Sequence, residues 1–249
     1  MSKIVYAYGR HALGEALSCN GLVGRVWLAS SVDDPVLRRT LKRAGVVVQD
    51  LNTQTMPRGI DETVVHQGVV FAFDGEKLVV PFDDFISSFV VTPDTALVLF
   101  SEVQDVHNVG AVIRSAAAFG IQGILLPEHN QAPISAASIK VSSGMAFRVP
   151  LVRIGNVHHT LRVLKERGFW IYGLSESAQT SITEESFDAP TVFVVGGEHE
   201  GVRHKTLEYC DVHLRIPMHT RCDSLNASVS AGLAFFVWSS KHQDALKQQ

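Results

Sequence analysis

Five apolar runs set the frame of this chain: Thr95–Phe100, Gly123–Leu126, Phe169–Leu174, Thr191–Val195 and Asp211–Ile216. A strand with one wet face alternates apolar and polar residues, whereas a continuous apolar run is covered on both faces. Between the runs lie stretches of helical spacing, Val109–Phe119, Ser135–Gly144, His158–Arg167 and the closing Leu225–Lys241. Strands that alternate with helices build an α/β layer structure. Residues 94–249 are therefore expected to form an α/β domain with a mostly parallel sheet.

Residues 1–75 read as a separate, smaller α/β unit. Gly9-Arg-His-Ala-Leu-Gly-Glu-Ala-Leu has helical spacing, with Ala12, Leu13, Ala16 and Leu17 apolar. Arg25–Ala29, Val46–Val48 and Gly68–Phe73 read as strands. Asp33 or Asp34 before Pro35 starts a helix that ends before Gly45. Residues 76–93 read as a connector. Phe82, Phe85, Ile86 and Phe89 are too apolar for a loose linker, and a short amphipathic turn packed on one domain is expected.

Composition narrows the partners. No apolar run approaches the about 18 residues of a membrane span. The start, Met-Ser-Lys-Ile-Val-Tyr, lacks a charged region followed by an apolar core, so no secretory signal is read. Three cysteines are too few for a disulfide framework and fit a reduced, cytoplasmic setting. The net charge is −3, without a basic block. A nucleic-acid partner would be held by placed Arg and Lys and by shape, not by bulk charge.

Three motifs carry chemistry. In Asp105-Val-His-Asn-Val-Gly-Ala-Val-Ile-Arg-Ser-Ala-Ala-Ala-Phe-Gly120, Asn108 sits where a helix should begin and Gly120 where it should end. Arg114 lies among apolar neighbours, which is costly unless its head reaches an edge, an acid or a phosphate. In Val194-Val-Gly-Gly-Glu-His-Glu-Gly201, glycines directly follow a strand and permit close ligand approach. The flanking acids suit a ligand with positive charge or hydroxyls rather than a bare phosphate, and no Lys-Ser/Thr of a phosphate loop is present. The third motif runs from Ile216-Pro-Met to Ser224-Leu-Asn-Ala-Ser-Val-Ser-Ala-Gly232. A strand stops at Pro217, a polar loop follows, and a helix rich in Ser, Ala and Gly begins at Ser224, a loop suited to cradle a small cofactor.

In this order the three motifs closely resemble the SpoU (TrmH) family of RNA 2′-O-methyltransferases, of the SPOUT class. The resemblance covers residues 94–240. Gly9-Arg-His-Ala-Leu-Gly-Glu-Ala-Leu and His66-Gln-Gly resemble the ribosomal-protein-like substrate-binding domain of the branch that methylates guanosine in 23S ribosomal RNA. The resemblance implies a deep trefoil knot, an exception to the rule that chains do not thread loops, and it implies S-adenosylmethionine as cofactor. Gly196, Gly197, Gly201, Ile216, Met218 and Leu225 would bind that cofactor. Arg114, Asn108, Glu198, Ser224 and Asn226 match the family's polar site positions. A guanidinium is a poor base, so Arg114 is expected to anchor phosphate and stabilise a developing alkoxide. Asn108 and Asn226 would orient Arg114 or the ribose, and Glu198 would pair with Arg114. Many relatives have Val at the position of Ala227 and a smaller residue at that of His199, and no role is assigned to Asp223. Arg10, His11, Lys140 and Arg148 are candidates for RNA contact. The Ala/Ser/Gly helix would form a homodimer face.

Rival readings have their own residues. Cys210-x-x-His213 and His219-x-x-Cys222 approach zinc spacing, but the gap between the pairs is short and no metal is expected. A transfer RNA substrate and a non-enzymatic RNA-binding protein with a decayed cofactor site are the alternatives to a ribosomal RNA methyltransferase.

Overall fold

The computed structural model describes residues 4–58, 60, 64–197 and 201–247. The chain opens with β1 (Ile4–Tyr8), α1 (Arg10–Leu17), β2 (Val23–Leu28), α2 (Pro35–Arg43), β3 (Val47–Asp50) and β4 (Val69–Asp74). Then come α3 (Gly75–Leu78), β5 (Val79–Pro81), α4 (Phe82–Ser88), β6 (Ala96–Ser101), α5 (Val106–Ala118), β7 (Ile124–Pro127), α6 (Ala136–Val141), β8 (Leu151–Ile154) and α7 (Val157–Glu166). The last part holds β9 (Trp170–Leu174), β10 (Thr180–Ser181), β11 (Thr191–Gly196), α8 (His204–Leu207), β12 (Val212–Arg215) and α9 (Ala227–Lys241).

Two sheets form. The first has the order β1-β4-β2-β3, antiparallel except for the β2/β3 pair. The second has the order β10-β12-β9-β11-β6-β7-β8-β5. All its strand pairs are parallel. β6 lies inside it, with β7 on one side and β11 on the other. This reversal of strand order is where open α/β sheets gather ligands, at the strands' C-terminal ends.

Burial follows the pleat. Ala96, Val98 and Phe100 of β6 join one core cluster, and Leu97 and Leu99 join the cluster on the other face. Every β6 residue is buried, as its unbroken apolar run requires. The segment expected as a connector contributes β5 to the sheet edge, and α4 buries Phe82, Phe85 and Ile86 beneath the second cluster. The first cluster runs on without a break into the small sheet. Phe147 meets Phe71 and Phe73 there, with ring centroids 6.1 and 5.3 Å apart.

Two helix starts differ from expectation. α5 begins at Val106 and is capped by Asp105, whose side chain accepts from the His107 N–H at 2.8 Å. Asn108 is thus inside the first turn and buried. α9 begins at Ala227 with Asn226 as its cap, not at Ser224. In both places two good capping residues stand close together. The one chosen leaves the other Asn or Ser for a different task.

α5 packs on α6 through Gly110. A Cβ there would lie 2.6 Å from the Ser138 carbonyl oxygen and 2.7 Å from the Val141 Cβ. The glycine lets the two helices approach closely and fixes α5, which carries the first motif.

Candidate cofactor cleft

The second and third motifs meet at the C-terminal ends of β9, β11 and β12. β11 ends at Gly196, and the chain folds back so that Gly197 and Gly201 form an isolated antiparallel bridge. A Cβ on Gly196 would stand 1.9 Å from the Gly201 carbonyl carbon and 2.2 Å from the Val202 nitrogen. No side chain fits at that position. Gly197 donates its N–H to the Ser101 carbonyl at 3.1 Å, which ties this turn to the end of β6.

Against the turn lies a cleft of about 830 Å³. The six expected cofactor residues all line it: Gly196, Gly197, Gly201, Ile216, Met218 and Leu225. Ser224, Asn226 and Asp223 line it too. Leu174, Leu214, Ile216 and Leu225 give an apolar wall, while the strand-end glycines leave main-chain groups accessible. The size is that of a site for a small organic ligand, and the mixture of apolar wall and accessible backbone suits an adenine with a polar tail. The residues therefore fit S-adenosylmethionine.

Asn226 joins the cleft to the first motif. Its Oδ1 accepts from the Ser228 and Val229 N–H groups at 2.9 and 3.4 Å, capping α9. Its Nδ2 donates to Asn108 Oδ1 at 2.9 Å. One side chain thus fixes the start of α9 and reaches α5 across 118 residues of sequence. Both Asn residues expected at the site are brought together, in a contact with each other.

Arg114 is placed differently. It is exposed on α5 and does not line the cleft, and it makes no ion pair among the described residues. Glu198, its expected partner, and His199 lie outside the described residues. Arg10 and His11 are exposed at the start of α1. Lys140 donates to Gln67 Oε1 at 3.4 Å and sits 5.9 Å from the Tyr8 ring centre. Arg148 pairs with Glu15 of α1. The four residues expected to contact RNA therefore adjoin α1 at the seam of the two sheets, with Lys140 and Arg148 already engaged there.

The near-zinc residues have separate partners. Cys210 lies against Gly173 and Thr206, the His213 ring bonds the Leu207 carbonyl at 2.9 Å, and Cys222 is exposed. Burial pushes the Cys210 thiol up to about 12, with Lys165 pulling the other way. Sequence reasoning missed Leu174, Ser175 and Ser230 of the cleft. The signal for the first two was their place at the C-terminal end of an unbroken apolar run.

Comparison with known proteins agrees with this geometry. The SpoU rRNA Methylase family matches residues 95–236, and the RNA 2′-O ribose methyltransferase substrate binding family matches residues 6–78. A 23S rRNA (guanosine-2′-O-)-methyltransferase of Xylella fastidiosa is 36% identical over 202 residues, 80% of this chain and 80% of that protein. One of the same name from Yersinia pestis is 34% identical over 241 residues, covering 95% and 96%. A SpoU methyltransferase of Streptomyces viridochromogenes, solved in complex with AdoMet, superposes with a TM-score of 0.81 at 21% identity, covering 97% of this chain and 91% of that one. The methylase match takes in β6 through most of α9, and so all three motifs, while the substrate-binding match takes in the small sheet. The chain belongs to the SpoU rRNA methylase family.

Proposed function

We propose that this protein transfers a methyl group from S-adenosylmethionine to a ribose 2′-oxygen of RNA, and that the substrate is a guanosine of 23S ribosomal RNA. The observation that carries this reading is the cleft itself: every residue expected to hold the cofactor lines one cavity, and Asn226 joins that cavity to Asn108. The named relatives and the AdoMet-bound structural neighbour support the substrate and the cofactor.

The cofactor supplies an electrophilic sulfonium methyl with a good leaving group. What remains for the protein is orientation and the fate of one proton. Gly196 and Gly197 admit the cofactor against backbone groups. Ile216, Met218 and Leu225 would flank its base. Ser224 and Asn226, at the mouth of α9, provide polar groups for the incoming ribose. The Asn108 contact holds the Asn226 amide in one orientation. An exposed guanidinium is suited to gripping RNA phosphate, so Arg114, outside the cleft, anchors the strand.

The working form is a homodimer, and the protein acts in the cytoplasm. No helix among the described residues is long and apolar enough to cross a membrane. Val229, Leu233 and Phe236 form a stripe on α9 with 49, 39 and 56% of their surfaces exposed. Their spacing places them on one helix face, and Phe236 packs edge-on to Phe119, just past the end of α5, with centroids 5.9 Å apart. A second copy of this helix pair covers the stripe.

The test is a map of 2′-O-methylation in RNA from a strain lacking the gene. Loss of one guanosine mark in 23S ribosomal RNA, restored by wild type and not by Arg114→Ala, is the expected result. Loss of a transfer RNA mark with ribosomal RNA unchanged refutes the substrate. Full transfer by folded Arg114→Ala refutes the role of the arginine.

A further inference from the structure

A second cavity, about 460 Å³, opens beside the cofactor cleft at the C-terminal ends of β6 and β7. Arg203 and His204 line both cavities. The other side chains with charge or ring nitrogens are Glu102, His129, His158 and Lys205. Among the described residues that line it, the one carboxylate, Glu102, is already satisfied. Glu102 receives Arg203 at 2.6 Å and the Asn130 amide at 3.1 Å. Glu102 and Asn130 hold left-handed backbone angles, φ 66° and 55°. Such angles are uncommon in non-glycine residues and gather where a site needs them. Arg203 is held by Glu102, and the His204 ring lies 3.2 Å from Glu208, so the donors left for a ligand are the Lys205 ammonium and the His129 and His158 imidazoles. Neutral imidazole still offers one N–H, so this set attracts an anion without needing every ring charged.

An aromatic platform adjoins it. The His158 ring stacks on Tyr209 with centroids 4.3 Å apart and planes 7° apart, and Tyr209 is 37% exposed. Donors for phosphate next to a flat ring face are the pairing that binds a single-stranded nucleic acid, whose unstacked bases need a surface.

We infer that this cavity binds the RNA strand next to the methylated nucleotide, taking a backbone phosphate between Lys205, His129 and His158 and a neighbouring base against the His158–Tyr209 stack. The inference rests on the RNA-methylating reading above and adds to it a site that the three motifs do not contain. It places strand recognition at the large sheet, close to the reacting ribose, in addition to whatever the small sheet contributes.

The test measures binding of unmethylated large-subunit ribosomal RNA, at several salt concentrations, to wild type, Lys205→Ala, Tyr209→Ala and the combined His129→Ala/His158→Ala/Lys205→Ala variant. Affinity for S-adenosylmethionine and the thermal midpoint are followed in parallel as controls of fold and cleft. Loss of one phosphate contact shallows the salt dependence by about 0.7 in log–log slope for a single strand. The expected result is roughly tenfold weaker RNA binding by the combined variant, a shallower slope with Lys205→Ala alone, and unchanged cofactor affinity. Lys205→Arg restores the slope. Wild-type affinity and slope in the folded combined variant overturn the inference while leaving the methyltransferase reading intact. Absence of any ribose methylation by wild type overturns that reading instead. If the combined variant fails to fold, Lys205→Ala and Tyr209→Ala, both changes of exposed side chains, decide the matter singly.

Discussion

Asn226 has two tasks that can be separated by substitution. Asn226→Ala removes the cap of α9 and the donor to Asn108 in one step. Loss of an N-cap costs about 1 kcal/mol. The Asn108 carboxamide is only 5% exposed, and taking a donor from a buried acceptor costs about 1–3 kcal/mol. The sum, about 2–4 kcal/mol, lowers the melting midpoint by roughly 2–4 °C per kcal/mol in a chain of this size. Asn226→Asp keeps an acceptor for the Ser228 and Val229 N–H groups but cannot donate to Asn108. It is expected to retain the cap and lose the bridge. The assay is thermal unfolding of Asn226→Ala, Asn108→Ala and the double variant, with calorimetric titration of S-adenosylmethionine on each. Residues in direct contact should show a coupling of at least about 0.5 kcal/mol. Cofactor affinity should fall in Asn226→Asp although its α9 cap survives. Strict additivity of the two alanine changes, with unaltered cofactor binding in Asn226→Asp, refutes the bridging role.

Four further outcomes follow from the same geometry. Gly196→Ala forces a Cβ to within 1.9 Å of the Gly201 backbone, so cofactor binding should be abolished and stability reduced by at least about 1–3 kcal/mol, read by calorimetry and melting. Phe236→Glu puts a charge into the exposed α9 stripe and should abolish the proposed dimer by light scattering, with secondary structure retained. The Cys210 thiol, raised to about 12 from an ordinary 9.0, keeps its proton longer in the folded chain than in the unfolded one. Its contribution to stability is thus complete below pH 9.0 and declines as pH rises toward 12, and Cys210→Ala should flatten the fall of the melting midpoint above pH 9.0. Exposed Cys222 should be alkylated well before Cys210 in the folded protein.

Much of the large sheet was readable because its strands are buried on both faces. β6, β9 and β11 leave no polar alternation to confuse with a loop. β8 was not readable: it is four residues long, carries Arg153 among its apolar residues, and pairs only because β7 and β5 flank it. β1 was missed for a similar reason, since its side chains are mostly half-buried and its partner β4 is 60-odd residues away. At the site, the glycine turn and the apolar cofactor wall were legible because each is a local property of a strand end. The Asn226–Asn108 contact was not legible: the two residues were expected to orient Arg114 or the ribose, not to meet each other. Its geometry depends on which of two neighbouring caps each helix uses, and tertiary packing decides that. The engagement of Arg148 with Glu15, 133 residues apart, had no sequence signal at all.

The Asn226–Asn108 bridge also sets an order of events. Synthesis runs from the N-terminus at about 5–20 residues per second, and domains fold as they emerge. The small sheet and β6 to β8 can pack while the last motif is still unmade. The cofactor wall cannot, because Ile216, Leu225 and the cap of α9 follow those strands in the chain. A nascent or prematurely ended chain can thus hold a nearly complete sheet without a closed methyl-donor site. Truncation upstream of Ile216 should therefore abolish cofactor binding even where the earlier strands remain folded.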